Sequence, residues 1–208
     1  MLLFTRCANR QVTLSVQGVD RKRDEYKGCG GTIHMEKTNE KYGAYIQILR
    51  EELIPAMGCT EPIAVAYAAA VARQTLGELP DKVIVGASGS IIKNVKSVIV
   101  PNTDNMKGLN TAAAAGIVAG KPEKELEVIA EVTPEQTEEI KEFLKTAEIT
   151  VEHVENGNTF DIVISVFKGE KSAKVRIANY HTNIVYIEKN GEVLKNTPVR
   201  GEEEDGLT

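Results

Sequence analysis

The sequence predicts an α+β fold, an alanine-rich helical unit with a short sheet followed by a helix packed on an antiparallel sheet. Two small-residue helices carry the first half of this reading: IAVAYAAAVARQTL from Ile63, closed by Gly77, and Leu109 to Ala119, closed by Gly120. The second half rests on the runs ITVEHVE, TFDIVISVFKG, KSAKVRIANYHTNIVYIEKNG and EVLKN, which read as strands. Asn156-Gly157-Asn158, Lys168-Gly169 and Asn190-Gly191 supply hairpin turns between them. The expected organisation is a leader over 1–35, a helix-rich unit over 36–124, an α+β unit over 125–198 and an acidic tail over 199–208.

Composition bounds the function. At 208 residues and 42% hydrophobic, the chain can bury a sizeable core. Its formal net charge of −5 argues against nucleic acid, since only Arg21-Lys22-Arg23 is locally basic and Asp24-Glu25 follow at once. No apolar run is long enough to cross a bilayer, so no membrane partner is expected. The opening MLLFTRCANRQ lacks the apolar stretch and cleavage site of a signal peptide. Cys7, Cys29 and Cys59 show neither even pairing nor C-x-x-C spacing, which fits a reduced cytoplasm.

Taken in order, residues 1–35 show no clear helix or strand period. Either Met35 is the natural start and the upstream residues an appended leader, or they form an ordinary N-terminal arm. Tyr45, Ile48, Leu49 and Leu53 then fall at helical spacing in a helix from about Asn39 to Ile54, bounded by Pro55. In Gly58-Cys59-Thr60-Glu61-Pro62, Thr60 is the expected N-cap, with Glu61 and Pro62 suited to the first turn of the alanine-rich helix. KVIVGAS reads as a strand running into a Gly/Ser loop, and ELEVIAEV as another strand. Thr133 and Gln136 form a capping-box pattern for a helix ending near Thr146.

Candidate chemistry gathers at three stretches. Cys59 stands just before a helix N-terminus, where unpaired N–H groups favour a thiolate suited to reactivity or metal binding. The alternative is a cysteine in a tight turn. Ser88-Gly89-Ser90 can present N–H groups to a carboxylate, with Lys93 to neutralise it. Lys107-Gly108 leads into a second helix N-terminus able to face an anion. No G-x-x-x-x-G-K-[ST] phosphate loop occurs. Asn179-Tyr180-His181-Thr182-Asn183 is polar within a strand-like region, a bulge or exposed face if not a site. His153, alternating with valines, reads as a surface residue.

Met57-Gly58-Cys59-Thr60-Glu61-Pro62, Ser88-Gly89-Ser90-Ile91-Ile92-Lys93-Asn94-Val95, Val100-Pro101-Asn102-Thr103 and the late His181-Thr182-Asn183-Ile184 occur in one order. Together they resemble the L-cysteine desulfidase family, also called the serine dehydratase-like alpha family or UPF0597, over about Met35 to Leu194. The resemblance implies a lyase that converts L-cysteine to pyruvate, hydrogen sulfide and ammonia with a [4Fe–4S] cluster and no pyridoxal phosphate. It implies Cys59 as cluster ligand or as base, and Lys93 in catalysis or holding the substrate carboxylate. Thr60, Glu61, Ser90, Asn94, Asn102, His181 and Asn183 would line the amino-acid site, Thr182 beside them, where the two units meet.

Two departures qualify what the resemblance implies. Family members continue well beyond this length and carry their remaining cluster cysteines there, whereas a four-iron cluster needs three or four. The chain is therefore expected to be the N-terminal half only, as a fragment or a subunit completed by a C-terminal half or a homo-oligomer, and inactive alone. Asp104-Asn105 also stand where an uncharged glycine-rich turn is expected. The alternatives are an iron–sulfur L-serine dehydratase and a cluster-free amino-acid-binding or scaffold module.

Overall fold

A computed structural model of the chain describes residues 2–6, 12–16, 43–47, 56, 58–155 and 158–199. The chain divides into two units, Met1–Ile54 and Pro55–Thr208. In the first, β1 (Leu2–Arg6) pairs antiparallel with β2 (Val12–Val16), Leu2 opposite Val16 and Arg6 opposite Val12. This hairpin corrects the reading of a leader without strand character. LLFTR and VTLSV are rich in β-branched and large apolar residues, but each is too short to display a period. Residues 43–47 are helical (α1), inside the helix expected from Asn39 to Ile54. The remainder of that helix, the start at Met35, Cys7, Cys29, the Asn156-Gly157 turn and the tail beyond Val199 lie outside the described residues.

The second unit is α+β, as the sequence predicts. Its elements run α2 (Thr60–Leu76), β3 (Lys82–Ala87), α3 (Gly89–Val95), α4 (Gly108–Ala119), α5 (Pro134–Thr146), then β4 (Glu148–His153), β5 (Asp161–Lys168), β6 (Lys171–Ala178), β7 (Ile184–Lys189) and β8 (Glu192–Asn196). The six strands form one sheet in the order β4-β3-β5-β6-β7-β8. The strand of the helix-rich unit joins the antiparallel sheet expected over 125–198: β3 pairs parallel with β4, Val83 opposite Ile149, while β3–β5 and all later pairs are antiparallel. A parallel pair requires a crossover, which α3, α4 and α5 supply. Residues 36–124 and 125–198 thus share a sheet, with β3 of the earlier stretch between β4 and β5 of the later.

The core centres on α2. Ile63, Ala64, Val65, Ala66, Ala68, Ala69 and Ala72 are all 0% exposed, as expected of a helix apolar nearly all round. On the sheet, Val83, Val85, Ile162, Ile164, Val166, Val175 and Ile177 are buried at alternate positions. Small residues let α2 and α4 approach closely. A Cβ on Gly116 would fall into the backbone carbonyl of Ala66, and one on Gly120 would lie 2.7 Å from the Ala70 Cβ. Gly77 closes α2 in the left-handed region, φ 91°, its N–H donating to the carbonyl of Arg73.

The expected strand ELEVIAEV is a 3-10 helix, Pro122–Glu127, followed by a turn. Pro122 opens the tight turn, and Leu126, Val128 and Ile129 satisfy their apolar pattern by burial. The Asn102 amide donates to the carbonyls of Ile129 (3.0 Å) and Ala130 (3.1 Å), acceptors that a strand would have offered to a neighbour. The capping box on α5 is present: the Gln136 N–H donates to Thr133 Oγ1 and the Thr133 N–H to Gln136 Oε1.

Candidate functional site

Gly58 and Cys59 bring the chain into α2. Gly58 has φ 148°, and a Cβ there would lie 3.8 Å from the Pro101 ring, so the first motif sits against the turn of the third. The expected N-cap, Thr60, is displaced by one residue. Cys59 occupies that position in extended conformation with no side-chain cap bond, and Thr60 is the first helical residue. The Thr60 hydroxyl is thereby available elsewhere, and it bonds His181 Nε2 at 2.9 Å, across 121 residues of chain.

Glu61 lies in the first turn of α2, where the helix dipole favours an anion. Its Oε2 accepts from the Cys59 thiol at 2.9 Å and its Oε1 from the Asn94 amide of α3 at 3.1 Å. His181 stands on the β6–β7 loop with its ring 4.5 Å from that of Phe160, edge to face at 62°. Ala178 and Tyr180 hold the loop in shape, because the Asn183 amide donates to the Ala178 carbonyl (3.0 Å) and the Asn183 N–H to the Tyr180 carbonyl (3.1 Å).

The electrostatics run against a resting thiolate. Partial desolvation, the hydrogen bond to Glu61 and the charge of Glu61 raise the Cys59 pKa, opposed by a backbone hydrogen bond. The carboxylate is stabilised in turn: the Cys59 bond, then the Asn94 bond and the nearby His181, hold Glu61 below its usual range against partial burial. Burial lowers the pKa of His181, and the Glu61 charge offsets part of that. The helix N-terminus that favours a thiolate in sequence therefore faces a neighbouring carboxylate that favours the thiol. At neutral pH the group offers a thiol donor, an anionic acceptor and a neutral imidazole.

The structure thus brings Cys59, Thr60, Glu61, Asn94 and His181 together. Ser90, Lys93 and Asn94 lie at helical spacing i, i+3, i+4 on the exposed face of α3, while Ile91 and Val95 of the same helix are buried. Ser88-Gly89-Ser90 is not an open loop but the start of α3, and the Ser88 hydroxyl donates to the Thr159 carbonyl at 2.7 Å. Asn102 and Asn183 bond backbone carbonyls rather than facing this group. Asn102, Asp104 and Asn105 all have positive φ, at 57°, 55° and 61°, which gives the loop the left-handed geometry expected of glycines there. Asp104 pairs with Lys141 at 2.9 Å, beside a groove of about 390 Å³ lined also by Asn102, Thr137 and Glu138. Phe160 is the neighbour that sequence reasoning missed; a single aromatic before a strand carries no signal of a distant ring contact.

The described residues do not by themselves supply the three or four cysteine ligands of a four-iron cluster. Among the described residues Cys59 is the one free cysteine, and no group of three or more His, Cys, Asp or Glu could hold a metal ion. No described helix is long and apolar enough to cross a membrane.

No protein-family profile matches the chain, and no solved structure matches it. Curated relatives do. A UPF0597 protein of Desulfitobacterium hafniense is 53% identical over 165 residues, 79% of this chain and 38% of the relative. UPF0597 proteins of Lachnoclostridium phytofermentans (46% over 152 residues, 73% and 36%) and Treponema denticola (42% over 164 residues, 79% and 38%) are similar to it as well. The chain spans well under half the length of these relatives. Over more than 150 residues, this chain is similar to UPF0597 proteins.

Proposed function

We propose that the chain forms the amino-acid-binding part of a lyase of the L-cysteine desulfidase type. One observation carries this reading: a thiol, a carboxylate, an amide and an imidazole from α2, α3 and the β6–β7 loop converge through hydrogen bonds of 2.9–3.1 Å. A β-elimination needs an acceptor for the α-proton, a donor for the departing sulfur and polar groups that fix the zwitterion. The imidazole of His181 and the thiol of Cys59 supply the acceptor and the donor. Loss of hydrogen sulfide leaves aminoacrylate, which tautomerises and hydrolyses to pyruvate and ammonia.

The test is anaerobic release of sulfide and pyruvate from L-cysteine, and of pyruvate from L-serine. The D. hafniense relative is assayed in parallel with this chain, and calorimetric binding of both amino acids to this chain is measured. The reading expects the relative to release sulfide and this chain to bind L-cysteine. Pyruvate from L-serine alone would point to a dehydratase, and neither turnover nor binding would end the reading. Cys59→Ala in the relative's matching position should lower turnover at least a hundredfold. A cluster-free amino-acid-binding module is favoured by one observation, the single described thiol held protonated by Glu61. It is upheld if L-cysteine binds this chain while neither protein turns it over.

A further inference from the structure

Resting on the amino-acid-binding reading, we propose that Glu61 is the acceptor for the ligand's α-ammonium group, and that Ser90 and Lys93 receive its carboxylate. The inference starts from what surrounds the Glu61 carboxylate. Each of its oxygens is oriented by a neutral donor, the Cys59 thiol at 2.9 Å and the Asn94 amide at 3.1 Å, and among the described residues no cation forms an ion pair with it. An ionised carboxylate has about four lone-pair sites, so two hydrogen bonds leave acceptor capacity on both oxygens. Two neutral donors fix the geometry of such an anion without cancelling its charge. That is the arrangement a cationic ligand group requires.

A cationic side chain stands on α3, one residue before the Asn94 that reaches Glu61. Ser90 and Lys93 share a helical face with Asn94, and the Asn94 amide reaches Glu61. Among the described residues Lys93 forms no ion pair and the Ser90 hydroxyl no hydrogen bond, and both residues are exposed. Glu61 at the start of α2 and Lys93 on α3 supply charges of opposite sign. An α-amino acid, with ammonium and carboxylate on one carbon, has the matching polarity. The substrate side chain would then be directed by the ammonium anchor toward the Cys59 and His181 side of the cluster.

Calorimetry on the full chain tests this with three thiol ligands: L-cysteine, cysteamine, which has the amine alone, and 3-mercaptopropionate, which has the carboxylate alone. Glu61→Gln keeps the shape and a hydrogen-bond acceptor for Cys59 but removes the charge. It should weaken L-cysteine and cysteamine by about tenfold or more and leave 3-mercaptopropionate within twofold. Lys93→Met should show the reverse preference, weakening L-cysteine and 3-mercaptopropionate while sparing cysteamine. Equal effects of Glu61→Gln on the amine and on the acid, no effect on either, or no binding of cysteamine to the wild type would overturn the assignment. Charge-dependent cysteamine binding without turnover of L-cysteine by the relative leaves the assignment standing and removes the lyase reading. Turnover that Glu61→Gln leaves intact does the opposite.

Discussion

A threonine hydroxyl beside a helix start has two competing uses, and at Thr60 the distant one prevails. Sequence spacing favours Thr60 as a local cap, but its hydroxyl bonds His181 instead, and Cys59 takes the cap position without a side-chain bond. A cap contributes about 1 kcal/mol, so a tertiary partner of similar strength can outweigh it. That is why Cys59, Glu61 and Asn94 were legible as candidates while their contacts were not. Spacing shows which residues flank a helix, not which lie across the fold. His181 permits a pH test with a defined sign. Its folded pKa is depressed below the usual 6.5, so the unfolded chain binds more protons just below that value. Stability is therefore fully present above about 6.5 and falls as pH drops toward the folded pKa. Thr60 bonds the ring and the Glu61 charge acts on it from α2, while Phe160 packs against it, so His181→Gln is the comparison that isolates its contribution. Thermal melts of wild type and variant should run parallel above pH 6.5 and converge below it as the wild type loses its advantage.

At the scale of elements, the packing of α2 on α4 and the pairing of β5 with β6 are the contacts most exposed to single changes. Gly116→Ala places a methyl where the Ala66 carbonyl stands, so the helices must separate. The expected loss is about 1–3 kcal/mol or more, read as a lower urea midpoint. Gly43→Ala, with nothing within 4 Å, should not cause such a loss. Asp161 is fully buried and meets Arg176 in a bidentate pair, with Nη2 2.7 Å and Nε 3.0 Å from its oxygens. Arg176→Met removes this bidentate partner from a buried carboxylate and should lower the urea midpoint, a loss that Asp161→Asn should partly restore in the double variant. The capping box at Thr133 and the Asn190-Gly191 turn, with φ 50° and 85°, were readable because both are written in consecutive residues. ELEVIAEV was not, since alternation of apolar residues is shared by a strand and by a buried turn.

Across the second unit, the sheet order joins stretches that the sequence separates. The β5–β6 and β7–β8 turns were legible as hairpins, whereas the β6–β7 connection was read as a polar interruption within one strand-like run. The place of β3 between β4 and β5 was not legible, because parallel pairing across about 60 residues leaves no local mark. Residues 125–199 made alone would lack the strand that bridges β4 to β5. The expected outcome is no cooperative melt from that piece, whereas 55–199 should melt in one transition. A sharp transition from 125–199 alone would show that the shared sheet is dispensable. Folding of the longer piece should also be slow for its size, since β3 must wait for partners distant in sequence.

The enclosure of α2 bears on what a ligand meets at its end. Thr60 and Glu61 project from the first turn of a helix whose next residues, from Ile63 to Ala72, lie almost wholly inside the core. The groups at that end are already ordered before anything binds. Little association free energy is then lost to freezing loops, and recognition of a molecule as small as an amino acid can rest on few contacts.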